Sequence, residues 1–189
     1  IKRKNITISG NDTLLFNNNF GITTVTTVGG TGTDTTATLV PGTYSAVEVP
    51  VPAGWTLDGS TCSDGSLANN IGLEPGENIT CTFTNTKEGT IIIKKITHGG
   101  TDTFLFNTNF GITSVTTVGG TGTETSATLL PATYSAVETP VPTGWTLDGS
   151  TCSDGSLGSA IGLDPGENVT CTFTNTKQGT ITIKKIAIG

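Results

Sequence analysis

The sequence predicts an all-β fold: two tandem small β-sandwich domains with Ig-like layering, followed by one extra C-terminal strand. Composition is the first reason. Only 13% of residues are charged, while Gly (26), Pro (8) and Thr are plentiful, so helix formers are scarce and strand and turn formers dominate. A repeat is the second. Shifted by 90 positions the chain aligns with itself without a gap: FGITTVTTVGGTG from Phe20 falls on FGITSVTTVGGTG from Phe110, and GWTLDGSTCSDGSL from Gly54 on its copy from Gly144. About three quarters of the aligned positions are identical, which makes the period a structural unit. The third is the alternation of apolar and polar residues over short runs. The units are expected at 1–90 and 91–180, with 181–189 a spare first strand, either donated to another molecule or opening a third repeat.

The second copy shows the elements most clearly. Thr90 to Thr97 is Ile-rich and closes on Gly99-Gly100. Thr103 to Phe110 alternates, and Ile112 to Val118 follows Gly111. GGTG from Gly119 reads as a loop, Thr123 to Leu130 as the next strand, and Pro131 as its break. TYSAVE from Thr133 to Glu138 is a strand ended by Pro140 and Pro142. GWTLDGSTCS from Gly144 is expected to give two short strands or a hairpin around Asp148-Gly149. Asp164-Pro165-Gly166 turns the chain into ENVTCTFTNTK. Seven or eight short strands per unit result.

Charge and cysteine content narrow the function classes. A net charge of −6 without a basic stripe argues against nucleic acid as a partner. No run of about 18 apolar residues exists to span a membrane. With neither a signal peptide nor any Met, the residues read as a processed or trimmed mature chain. Cys62 and Cys81 in one copy, and Cys152 and Cys171 in the other, read as one disulfide per domain in an oxidising place, with cross-domain pairing as the alternative. A metal site is the rival, weakened because no CxxC spacing occurs and His98 is the single histidine. No Ser/His/Asp or Cys/His set can be assembled, since His98 falls in a turn lacking a counterpart; the chain is therefore not expected to be an enzyme or to hold a cofactor. The Asp-Gly pairs read as turns and the VGGTG stretches as turns rather than phosphate loops, because no helix follows them. Asn5, Asn11, Asn78 and Asn168 each head an N-x-[ST] sequon, making them candidate glycan acceptors. Trp55 and Trp145 read as packing residues rather than ligand platforms.

Alternation assigns side chains to faces. In the last strand Val169, Cys171, Phe173 and Asn175 share the inner face, and Thr170, Thr172 and Thr174 face outward. Tyr134, Ala136 and Glu138 lie together, as do Ile91, Ile93 and Lys95. Three inner faces therefore each finish in a polar residue, and inward charges must be paired or sit at the mouth of the sandwich. One reading is a rim salt bridge between Lys95 and Glu138 with Asn175 as hydrogen-bond filler. The other is chemical: a Lys made more nucleophilic by burial attacks the Asn carboxamide, a protonated Glu shuttles the proton, and ammonia leaves behind an amide cross-link.

GTIIIKK from Gly89, PATYSAVETPVPTGW from Pro131 and CTFTNTK from Cys171 together resemble the prealbumin-like fold of SpaA-like and Cna B-type repeat domains of pilins, adhesin stalks and secreted repeat proteins. The resemblance covers both units. It implies that Lys95, Glu138 and Asn175 hold the residues of an internal isopeptide. The first copy departs: Arg3 stands where Ile93 does and Asn5 where Lys95 does, while Glu48 and Asn85 remain. The extra strand supplies what is missing, since Ile181, Ile183 and Lys185 repeat Ile91, Ile93 and Lys95. Lys185 of another subunit would complete a trio with Glu48 and Asn85.

Two function classes follow. One is a structural subunit of an extracellular or cell-surface filament, polymerising with identical subunits by donating 181–189 head to tail. The other is an adhesin or stalk segment of a long secreted repeat protein whose binding role lies elsewhere. Near-identical loops in the two copies argue against a specialised binding tip.

Overall fold

The computed structural model describes residues 1–8 and 10–188, and the side chains of residues 1 and 10–188. Eighteen strands and no helix occur among the described residues. The chain divides into two compact units: Ile1–Gly89 with Thr128–Pro131 and Asp164–Glu167, and the remainder.

Unit 1 contains β1 (Lys2–Ile8), β2 (Thr13–Asn18), β3 (Thr24–Thr26), β4 (Thr31–Thr35), β5 (Gly42–Tyr44), β6 (Ala46–Glu48), β7 (Trp55–Cys62), β8 (Ile71–Leu73) and β9 (Thr80–Lys87). Its main sheet has the order β4-β1-β9-β7, beside a three-stranded β3-β2-β6 and a two-stranded β5-β8. Unit 2 repeats this with β10 (Thr90–His98), β11 (Thr103–Thr108), β12 (Ser114–Thr116), β13 (Thr121–Thr125), β14 (Ala132–Tyr134), β15 (Ala136–Glu138), β16 (Trp145–Cys152), β17 (Ile161–Leu163) and β18 (Asn168–Lys177). Its sheets are β13-β10-β18-β16, β12-β11-β15 and β14-β17.

The layers meet through aromatic side chains. Phe106 on β11 packs edge-on against Phe173 on β18 with ring centroids 5.0 Å apart, and Phe16 against Phe83 at 4.9 Å in unit 1. Trp145 and Trp55 are buried, and each indole donates to an aspartate at 2.8 Å, Asp102 and Asp12 respectively. Burying the ring while its N–H keeps a partner is the packing role expected of them. In each unit the first and last strands are parallel neighbours inside the main sheet: Ile93 pairs with Cys171 and Lys95 with Phe173, as Arg3 pairs with Cys81 and Asn5 with Phe83.

Several elements differ from expectation. TYSAVE is two strands because it changes partner at Ser135, whose amide is taken by the Asn109 side chain at 2.9 Å. Before that residue β14 pairs β17, and after it β15 pairs β11. This raises the count to nine strands per unit. GWTLDGSTCS is one strand rather than a hairpin: Asp148-Gly149 sits at a bulge, marked by the register shift between Leu147 and Gly149. Asp154-Gly155, by contrast, is a turn. The GGTG loop is shorter than expected. Gly119 and Gly120, with φ of 61° and 88°, close a two-residue hairpin, and β13 already begins at Thr121. β13 then stops at Thr125, where its ladder with β10 ends at Ile92. His98 ends β10 and is exposed rather than lying in a turn.

Beyond β18, residues 179–188 lie outside every strand. Ile181, Ile183, Ile186 and Ile188 are exposed.

Candidate functional site

The chemistry of unit 2 is concentrated at its centre. Period-two alternation on β10 buries Ile91, Ile93 and Lys95; on β18 it buries Val169, Cys171, Phe173 and Asn175; on β15 it buries Ala136 and Glu138. Lys95 and Asn175 are completely buried and Glu138 is 5% exposed, so the three polar residues do not sit at a solvated rim. The Lys95 ammonium donates to the Asn175 Oδ1 and, at 3.1 Å, to the carbonyl of Phe173, and it lies 3.3 Å from Glu138 Oε2. The Phe104 ring closes the remaining side, its centroid 4.4 Å from Lys95 Nζ. Asn175 Nδ2 donates to Glu138 Oε1 at 2.6 Å.

One Glu138 oxygen therefore faces the lysine nitrogen and the other faces the nitrogen of the Asn175 amide. Burial pushes the Lys95 amine toward its neutral form, an effect that Glu138, and more weakly Asp148, oppose. A neutral amine beside a carboxamide carbon is a nucleophile at its electrophile. The carboxyl can take the amine's proton on Oε2 and deliver a proton from Oε1 to the departing nitrogen. The balanced change is amine plus carboxamide to secondary amide plus ammonia, with no oxidant or reductant.

Unit 1 keeps two of the three residues. Asn85 Nδ2 donates to Glu48 Oε1 at 2.6 Å, and both side chains are buried. Glu48 Oε2 and Asn85 Oδ1, whose counterparts face Lys95 Nζ in unit 2, are buried with no hydrogen-bond partner among the described residues. Desolvation raises the Glu48 carboxyl above its ordinary range, against the opposing bond from Asn85. The polar inner face expected of Arg3 and Asn5 falls on side chains outside the described residues, as does the Asn5 glycan site. Lys185 is exposed.

The cysteines are paired within each unit, Cys62 with Cys81 and Cys152 with Cys171, which removes thiolates from any metal site and excludes cross-domain pairing. Asn11, Asn78 and Asn168 are exposed. The carboxylate partners of the two tryptophans were not singled out in the sequence; each aspartate immediately precedes a strand and lies 43 residues before its Trp, a spacing that only the fold explains.

Two small sandwiches, each with parallel first and last strands in one sheet and a buried carboxyl–carboxamide pair between its layers, define a tandem of prealbumin-like domains. The chain belongs to the SpaA-type family of prealbumin-like fold domains: one family model described as a prealbumin-like fold domain matches residues 91–177 and a second matches residues 7–83. No curated protein matches the chain. Among solved structures it is similar to the major pilin protein from Streptococcus pyogenes, at 13% identity over 94% of this chain and 97% of that chain, with a TM-score of 0.37. It is also similar to the pilus adhesin SpaC from Lactobacillus rhamnosus GG, at 16% identity over 96% of this chain and 32% of that chain, with a TM-score of 0.36. The shaft pilin SpaA from the same organism is similar at 12% identity over 96% and 99% of the two chains, with a TM-score of 0.27.

Proposed function

We propose that this protein is a structural subunit of an extracellular, pilus-like filament, with identical subunits joined head to tail by strand donation. The observation that supports it most is the segment 180–188. Its sequence repeats β10, yet Ile181 and Ile183 are 94% and 91% exposed where Ile91 and Ile93 are completely buried. Covering each would contribute about 1.5–3 kcal/mol. Unit 1 offers the matching place: β1 lies between β4 and β9 as β10 lies between β13 and β18, but carries Arg3 and Asn5 at the positions of Ile93 and Lys95. A strand that leaves one subunit and enters the next forms an interface that does not close on itself, and repetition gives a fibre.

The repeats 1–90 and 91–180 serve in this reading as two beads hardened from within. Each is stapled by its disulfide, which suits an oxidising, extracellular setting. The second is further closed by a Lys95–Asn175 amide formed with Glu138 as proton carrier, and glycans on exposed Asn11, Asn78 and Asn168 would coat the surface.

Electron microscopy and sedimentation of the full chain should show filaments, while a chain lacking 181–189 should keep two folded units and remain monomeric. Fibres from the truncated chain would remove strand donation. A native gene product that runs on into further repeats would replace it by a covalent array, the stalk of a longer secreted protein. Intact mass tests the amide independently: the wild type should be lighter than calculated by one ammonia beyond the loss due to disulfides, and Glu138→Ala should restore that mass.

A further inference from the structure

We propose that Glu48 and Asn85 form an acceptor half-site for a lysine amine supplied from another copy, Lys185, and that an amide between Lys185 Nζ and Asn85 Cγ seals consecutive subunits. The inference rests on the strand-donation reading for its partner, and on unit 1 itself for its chemistry.

Three observations lead to it. The first is the pair of buried acceptors, Glu48 Oε2 and Asn85 Oδ1, with no hydrogen-bond partner among the described residues; a buried acceptor left unpaired weakens the fold unless a donor arrives. The second is which donor fits. In unit 2 the equivalent atoms of Glu138 and Asn175 face one lysine nitrogen; the 2.6 Å carboxamide-to-carboxyl bond and the phenylalanine on the last strand recur in unit 1, with Leu14 standing where Phe104 packs on Lys95. The third is register. An ammonium or amine on a first strand completes this set. Asn5 holds the register position opposite Phe83 that Lys95 holds opposite Phe173, so nothing in unit 1's own first strand is a lysine at that place. The 90-residue period puts Lys185 there when 180–188 takes the place of β1 between β4 and β9.

The step balances as in unit 2. The Lys185 nitrogen bonds to Asn85 Cγ, the bond from Cγ to Nδ2 breaks, and Glu48 passes a proton from the incoming nitrogen to the outgoing one, which leaves as ammonia. Unit 1 then gains between molecules the cross-link that unit 2 can make within itself.

The test uses full-length protein. Filaments boiled in detergent and reductant should leave a ladder of multimers, and mass spectrometry should find the peptide bearing Lys185 joined to that bearing Asn85 with one ammonia lost per junction. Asn85→Ala and Lys185→Arg should each abolish the ladder while filaments remain visible by electron microscopy. Asn5→Lys supplies the missing amine from within: a second ammonia should be lost per chain, linking positions 5 and 85, and the inter-subunit ladder should vanish. Filaments that dissolve wholly to monomers in detergent, with Asn85 intact, would overturn the covalent seal while leaving strand donation standing. An Asn5→Lys chain that loses no ammonia at Asn85 would overturn the half-site. Absence of filaments from the wild type would remove Lys185 as partner together with the filament reading.

Discussion

The two carboxyls of the paired sites, Glu48 and Glu138, differ by one neighbour, and that difference is measurable. Glu48 is buried beside Asn85 with no cation among the described residues, and its carboxyl is raised by desolvation. The folded state therefore retains a proton that the unfolded chain releases in the ordinary glutamate range. Stability from this source is fully present below that range and is lost as pH rises through the raised folded value. Denaturant midpoints of unit 1 in the monomer should accordingly fall as pH rises above the ordinary glutamate range, and Glu48→Gln should flatten the fall. Parallel profiles for wild type and variant would show that Glu48 does not set it. At this scale the sequence was informative: three inner faces that each end in Lys, Glu or Asn had to converge, because period-two alternation leaves no other side for them. It could not say that the trio lies at the centre rather than the rim, since depth depends on how far the layers overlap. Nor could it reveal which carboxyl oxygen meets which nitrogen.

Strands were legible wherever apolar alternation was strong, as in β10 and β18, and misjudged where partners rather than side chains decide. TYSAVE alternates without interruption, yet it changes sheets at Ser135, and no local pattern reports a change of partner. Asp148-Gly149 has the composition of a hairpin turn but is absorbed as a bulge because β18 is long enough to pair with both of its flanks. Gly122 is the clearest case. It lies in β13 opposite Lys95, and a Cβ there would stand 2.2 Å from the Thr116 carbonyl oxygen and 3.1 Å from Val115 Cγ1. Only glycine lets β12 and β13 approach so closely, and the same holds for Gly32 against Thr26. Gly122→Ala should destabilise unit 2 by about 1–3 kcal/mol, read from the urea midpoint, because the obstructing atoms are backbone and cannot swing aside. A midpoint unchanged from wild type would mean that the hairpin gives way freely.

Across the whole molecule, two beads of about 90 residues each bury a modest core, and covalent closure makes up the difference. Each disulfide spans 19 residues and joins the last strand to its neighbour, Cys171 on β18 to Cys152 on β16 and Cys81 on β9 to Cys62 on β7. Closing such a loop contributes about 3 kcal/mol on the chain-entropy account. Reduction should therefore lower the melting temperature of both units, while an amide between Lys95 and Asn175, closing a loop about 80 residues long, would keep unit 2 the more resistant by about 4–5 kcal/mol. Equal melting of the two units under reducing conditions would argue that unit 2 has no such link. The parallel pairing of β10 with β18 has a mechanical consequence. Tension on the two ends of unit 2 pulls β10 toward its start and β18 toward its finish, so the strands are dragged past one another lengthwise. Every rung of the ladder from Thr90–Asn168 to His98–Thr176 is then loaded at the same moment, in shear, instead of opening one after another like a zipper. A bond from Lys95 to Asn175 would lie across that sliding plane as a bolt, and the force needed to extend the bead would become that of a covalent bond.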